Sequence, residues 1–388
     1  MARFRHTRRR FLAATGTAAV AGCLGGDADG EGNGDGGDGG GGNGNATAPA
    51  DGAGTDGESE SEPADADGAE LEVTDVTLLL NWQINGLHAP YVAAREEGFY
   101  DEEGFETVEI ESGDGSDFAA NQAGLGNVEF AVSSPDQLLN VNSRGLSPRC
   151  VGVVMQRNPN VVFATRDGFG ELDDPAQLED ATVGSGPGMV RQMTQAYLEH
   201  HGVLESVEYV DTGFDTVQQL LSGEVDAAGG VFGDVVDAEH QGAEVDVLSI
   251  HEAIPSYGHV IATDEGFASD NGATVRAFLR ATARGAVWAT QNPEAAIGHL
   301  VAVQAELEEV RENQRDKWER MHAEYMRSDA VAERGWGWSE SEPWQATYET
   351  LADSDVLEGE VDPETVWTND YLDAESEYVG DYAELTDS

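Results

Sequence analysis

The chain has 388 residues, 75 of them acidic and 20 basic, for a formal net charge of −55, and Lys317 is its single lysine. Such a surface excludes nucleic acid as a partner, because displacing counterions from a phosphate backbone takes Lys and Arg. A wholly disordered acidic chain is excluded too, since apolar periodicity is dense beyond residue 72.

The first element is a targeting segment. Arg8, Arg9 and Arg10 precede Phe11 and Leu12, and a small-residue apolar stretch leads to Cys23. The stretch is too short and too weakly apolar to span about 30 Å of hydrocarbon. A basic start, a modest apolar run and a small-residue end describe an export signal. The arginines resemble a twin-arginine signal, and "VAGC" resembles a lipobox in which Cys23 takes a lipid. Residues 24–71 follow as a tether, with 13 acidic residues between Asp27 and Glu70 and no basic one. This composition cannot pack a core. A tether behind a lipid anchor predicts a domain held at the outer face of the cell membrane. The charge balance resembles that of proteins from extreme halophiles, where molar salt cuts screening to about 3 Å and a carboxylate-rich surface stays hydrated. Cys150, the other cysteine, sits in the apolar run "RCVGVVMQ" and reads as a buried, inert thiol.

From about residue 72, short apolar runs alternate with amphipathic helices. "VTLLLNW" is a strand, and a helix from His88 to Glu97 is stopped by Gly98. "TVEIES", "VEFAVSS", "RCVGVVMQ" and "NVVFAT" continue the strands, with helices "DFAANQAG" and "PDQLLNVNSRG" between them. A second alternating set runs from "ATVGS" through "VEYV" and "VDAAGGV" to "VDVLSI", then "HVIAT" returns before a helical C-terminal part. The alternation predicts mostly parallel sheets covered by helices. So long a chain suggests two α/β lobes. The expected first lobe is 72–165 plus 260–388 and the second 166–259, with crossings near 165–168 and 258–263 forming a hinge beside a ligand cleft.

Ligands of open α/β sheets bind beyond the carboxyl ends of strands, which nominates five segments. "NWQINGLH" offers Trp82 as a stacking face and Asn85 and His88 as hydrogen-bonding groups; their plain alternatives are core packing and helix-start satisfaction. "SSPDQ" offers Ser133, Ser134 and Asp136, whose plain role is N-capping. "GSGPGM" is a Gly-rich strand-to-helix turn whose amides, with Ser185, Gly186 and Gly188, suit an anion or a polar ring substituent. It lacks the Lys and spacing of a P-loop. "GGVFGD" offers Phe232 and Asp234, and "IPSYGH" offers Tyr257. Trp336, Trp338 and Trp344 read as packing for the late helices. No metal site and no cofactor are expected. The sequence has neither a Gly-x-Ser-x-Gly elbow nor a His-Glu-x-x-His pattern.

The stretch "NWQINGLHAPYVAAREEGFYDEEGF" resembles the start of substrate-binding proteins of the thiamine-pyrimidine-precursor, nitrate and sulfonate type. "VEFAVSSPDQLL", "LLSGEVDAAGG", "AEHQGAEVDVLSI" and "IPSYGHVIATDEGF" fall in that family's order. The resemblance implies a type II periplasmic-binding-protein-like fold. It implies a monomer that closes on a small-molecule ligand and delivers it to the permease and ATPase of an ABC importer. A pyrimidine precursor such as hydroxymethylpyrimidine is the favoured ligand, with sulfonate, taurine or a nitrate-like anion as the alternative. "GGVFGD" departs from the pyrimidine pattern in displacing the acidic residue to Asp234. A fungal relative is a pyrimidine-precursor synthase that needs a Lys near its His. Here Asn81, Trp82, Gln83 and Asn85 stand near His88, and the one Lys is far along the chain.

Overall fold

The computed structural model describes residues 70–354 and 356–387. The expected export signal, the lipidation site Cys23 and nearly all of the acidic tether lie outside the described residues.

Among the described residues there are ten strands: β1 (Asp75–Leu79), β2 (Thr107–Glu111), β3 (Phe130–Ser133), β4 (Pro148–Val153), β5 (Asn160–Thr165), β6 (Thr182–Ser185), β7 (Glu208–Asp211), β8 (Ala227–Val231), β9 (Val245–Ser249) and β10 (Val260–Asp264). They form two five-stranded sheets, ordered β2-β1-β3-β10-β4 and β7-β6-β8-β5-β9. Each is parallel through its first three strands and is then joined antiparallel, by β10 in the first sheet and by β5 in the second. Two mixed sheets replace the mostly parallel ones that the alternation predicts. The reason is that β10 returns to the first sheet after the chain has built the second, and that β5 enters the second sheet from the connector and runs against β8 and β9.

That exchange also moves the first lobe boundary. The expected first lobe ran to residue 165, but β5 pairs with β8 and β9 of the second sheet. The crossing therefore lies between Val153 and Asn160, and the return lies between Ser249 and Val260. The two connectors run side by side. Val154 N–H and Met155 N–H donate to the His259 carbonyl, and Gly258 N–H donates to that of Met155.

The helices that matter for the site are α1 (Ala89–Glu96), α2 (Phe99–Glu102), α3 (Ser116–Gly124), α4 (Pro135–Ser143), α5 (Met189–His200), α6 (Thr216–Ser222), α7 (Phe232–His240), α8 (Glu265–Asp270), α9 (Gly272–Gln291), α10 (Pro293–Val303) and α11 (Arg311–Arg320). The long helix α9 buries one apolar face against the first sheet, where Phe278 stacks on Phe130 at 3.9 Å between ring centroids. Val162, Val183, Leu198 and Ile250 centre the second core. Cys150 is buried, and burial pushes its thiol up to about 12, so it is inert at neutral pH. Trp336 and Trp344 are fully buried, as their reading as packing residues expects. Among the described residues no helix is long and apolar enough to cross a membrane.

Candidate functional site

The carboxyl ends of β1 and β3 and the start of β10 meet at one edge of the first sheet, because Val260 pairs with Ser133 and Leu79 with Ala131. Side chains from these ends form a directional hydrogen-bond chain. The Asn85 backbone N–H donates to His88 Nδ1 at 3.2 Å. A backbone amide can only donate, so His88 carries its proton on Nε2, which donates to Asn81 Oδ1 at 3.0 Å. Asn81 Nδ2 must then donate to His259 Nε2, 3.1 Å away. His259 is left with its proton on Nδ1. The two imidazoles lie nearly parallel, with centroids 6.1 Å apart. Burial pushes His88 down to about 3, helped by the neighbouring His259, and burial pushes His259 down to about 4. Both rings are therefore neutral at pH 7, as the chain of donors requires.

The second sheet presents the ends of β6, β7 and β8 and the start of β5. The two edges face one another. Trp82, after β1, lies 6.3 Å from Phe214, after β7, with the rings inclined by 33°. Met189, at the start of α5, packs against the apolar clusters of both lobes. Trp82 is 46% exposed and Phe214 84% exposed, so neither ring is spent on core packing. Gly188 precedes α5 with φ of 79° and supplies no side-chain cap, which leaves the first amides of that helix free. A cavity of about 830 Å³ opens beside the cleft, between α6, α7 and the start of α11, and is lined by Phe214, Asp234, His240, Glu308 and Gln314 among others. It reaches Phe214 but not the Asn81–His259 floor.

Helix α11 ties the edges together from behind. Gly86 N–H donates to Gln314 Oε1 at 2.7 Å, and a Cβ on Gly86 would stand 2.1 Å from the Gln314 carbonyl oxygen. Lys317 Nζ pairs with Asp237 Oδ1 of α7 at 2.7 Å. Lys317 is thus remote in sequence but folded beside the turn that holds His88.

The predicted residues divide by whether their polar groups are already used. Trp82, Ser134, Asp136, Gly186 and Gly188 lie at the facing edges with groups to spare. Asn85 is a helix cap whose Oδ1 accepts from Leu87 N–H and whose Nδ2 donates to the Gln83 carbonyl. His88 is fully buried within the relay. Ser133 donates to the Ser116 carbonyl. Ser185 is bonded to Tyr209 and Gly186. Asp234 accepts from Val231 N–H at 2.8 Å, capping α7, and burial pushes its carboxyl up to about 6. Phe232 is buried, with one ring face stacked on Tyr325 at 4.3 Å. Tyr257 accepts from Glu340 N–H and meets Trp344 edge-on. The two aromatic rings after β8 and before β10 thus pack against the C-terminal segment. Sequence reasoning missed Asn81, His259, Asn160 and Phe214. Asn81 lies within "NWQINGLH" and His259 within "IPSYGH", but nothing local sets either apart from its neighbours, and no nominated segment contains Asn160 or Phe214.

Two α/β lobes, each with a mixed sheet, facing across their strand ends define the periplasmic binding protein fold. The periplasmic aliphatic sulphonate binding protein of Escherichia coli has this architecture: it superposes with a TM-score of 0.62, covering 77% of this chain and 94% of that one at 13% identity. The sequence profile described as "NMT1/THI5 like" matches residues 85–296, and the chain belongs to that family. It is 27% identical over 242 residues to the formylaminopyrimidine-binding protein of Halalkalibacterium halodurans, covering 60% of this chain and 71% of that relative. A riboflavin-binding protein of Chloroflexus aurantiacus is 27% identical over 78% of this chain and 88% of its own length. The 4-amino-5-hydroxymethyl-2-methylpyrimidine phosphate synthase of Legionella pneumophila is 26% identical over 60% of this chain and 74% of its own.

Proposed function

We propose that the chain is the extracytoplasmic solute-binding component of an ABC importer. In this reading it captures a neutral planar heterocycle of the thiamine-pyrimidine-precursor class between its lobes and delivers it to a permease. The observation that carries the reading is the Trp82–Phe214 pair, one exposed ring from each sheet, facing at 6.3 Å. A sandwiched ring needs two contacts of about 3.5 Å, or roughly 7 Å in all. Opening the jaws by less than about 1 Å would admit one planar ring and little else. Ligand held by both lobes favours the closed form by its differential affinity, and that form is what a permease would recognise. The formylaminopyrimidine-binding relative supports the ligand class.

Charge favours a neutral guest over a sulfonate or nitrate-like anion. Arg191, on the first turn of α5, pairs with Asp211 at 2.5 Å, and Lys317 is held by Asp237. An anion at the Gly186–Gly188 turn would share the Arg191 guanidinium with the Asp211 carboxylate. The synthase among the relatives keeps an enzymatic reading in view. Against it stands the single lysine amine, which is already engaged by a carboxylate. Export by the twin-arginine route and lipidation at Cys23 belong to the same proposal, and mass spectrometry of the membrane-extracted protein would test them.

Calorimetric titration in molar salt with hydroxymethylpyrimidine, riboflavin and taurine decides among the ligand classes. The pyrimidine is expected to bind with a Kd near 1 µM, about −8 kcal/mol. Saturable binding of taurine alone would replace this reading with the anion one. Steady product formation from any of these ligands would end the binding-protein reading.

A further inference from the structure

Three buried side-chain atoms without a protein partner lie at the facing strand ends: His259 Nδ1, Asp136 Oδ2 and Asn160 Oδ1. Their residues are 8%, 6% and 7% exposed, a depth at which an unpaired polar group carries a large desolvation cost. His259 and Asp136 flank neighbouring strands of the first sheet, since Val260 pairs with Ser133. Asn160 opens β5 in the second sheet, opposite Val231. Asp136 Oδ2 accepts as the oxygen of a carboxylate, and the roles of the other two atoms are fixed by their surroundings. His259 Nδ1 carries a proton because the relay from the Asn85 backbone amide ends on its other nitrogen. Asn158 Oδ1 is turned toward Asn160 because it accepts that residue's backbone N–H at 2.8 Å. Asn160 Nδ2 therefore donates to Asn158 Oδ1, and Asn160 Oδ1 is the atom left over. The protein thus offers one donor and two acceptors.

We propose that these three atoms read the amidine edge of a 4-aminopyrimidine: His259 Nδ1–H donates to the ring nitrogen, while Asp136 and Asn160 accept the two hydrogens of the exocyclic amine. The inference rests on the heterocycle reading above and adds the atoms that select among heterocycles. An imide edge such as that of a flavin presents two acceptors around one donor, the wrong count for this site. A sulfonate presents acceptors only. Because Asn160 comes from the second lobe, the amine also bridges the two halves and couples recognition to closure.

The test compares 4-amino-5-hydroxymethyl-2-methylpyrimidine with its 4-oxo counterpart by calorimetry on the wild-type chain in molar salt. The oxo compound replaces the amine by an acceptor and the ring nitrogen by a donor, so each of the three protein atoms meets a group of its own kind. It is expected to bind at least about a hundredfold more weakly, as for other buried mismatched polar edges. Equal affinity for the two compounds overturns the edge assignment while leaving the heterocycle reading in place. Binding of neither overturns both. His259→Phe, which keeps a ring but deletes the N–H, is expected to weaken the amine at least about tenfold and to narrow the ratio between the compounds. An unchanged ratio in that variant removes His259 from the assignment, and the wild-type comparison holds whether or not the variant folds.

Discussion

The two strand edges that face each other are built on different plans. On the first sheet, Asn81, His88 and His259 are locked into one hydrogen-bond chain that starts from a backbone amide, and both imidazoles are buried. On the second sheet, the turn after β6 is Gly-Pro-Gly without a side-chain cap, and Phe214 after β7 is 84% exposed. One edge is preorganised, with donor and acceptor roles set before a ligand arrives. The other offers open backbone and an aromatic face that finds its partner when the lobes meet. A receptor gains specificity from the first kind of surface, because little ordering remains to be done on binding.

The largest expected effect comes from breaking the support of the ordered edge. Gly86→Ala forces a Cβ to within 2.1 Å of the Gln314 carbonyl oxygen, and the backbone of α11 has no flexible end to yield. Overpacking of this kind should cost about 1–3 kcal/mol, read as a lower Tm, and should weaken ligand binding along with stability. A Tm equal to the wild type would mean that α11 does not hold the His88 turn.

A smaller effect separates the two jaws. Trp82→Ala should reduce affinity for a planar heterocycle roughly tenfold, about 1.4 kcal/mol, with a stability change within about 0.5 kcal/mol because the ring is half exposed. Phe214→Ala should reduce affinity less, since its ring has fewer protein contacts to hold it in place. If Phe214→Ala proved the more damaging, the roles assigned to the two edges would have to be exchanged.

A third test reads the pH dependence of stability. His88 and His259 are depressed to about 3 and about 4, so the unfolded chain binds more protons as pH falls below about 6.5, and stability falls with it. Asp136 is raised to about 6, so its contribution has the opposite sign: it is lost as pH rises through about 6 and is fully present below the unfolded carboxylate value. Asp136→Asn removes that compensation. Its unfolding free energy should drop more steeply than that of the wild type between pH 6 and pH 4, by up to about 1.4 kcal/mol per pH unit, read from denaturant titrations. Parallel curves would show that Asp136 titrates normally and is not buried as described.

What could be read from residue order was whatever is written locally. The strand and helix alternation, Trp82 exposed at a strand end, the Gly-rich turn and Asp136 at a helix start all follow from neighbours within a few positions. The burial of Phe232 and Tyr257 was not legible for a long-range reason. Their partners Tyr325 and Glu340 come from the C-terminal segment, and no periodicity announces that this segment folds back over both lobes. Asn81 and His259 were overlooked for the same reason: each is an ordinary polar residue until β10 is inserted beside β3.

By itself the sequence determined the two-lobed α/β architecture, because hydrophobic period and turn chemistry are local properties that survive without a partner. It also determined which strand ends carry polar and aromatic residues. Only the tertiary structure decided which of those residues retain unpaired groups. Pairing is a question of which strands lie side by side, and in the first sheet β10 is inserted from beyond the whole second sheet. The tautomer of His259 and the meeting of Trp82 with Phe214 both depend on atoms brought together across long stretches of chain.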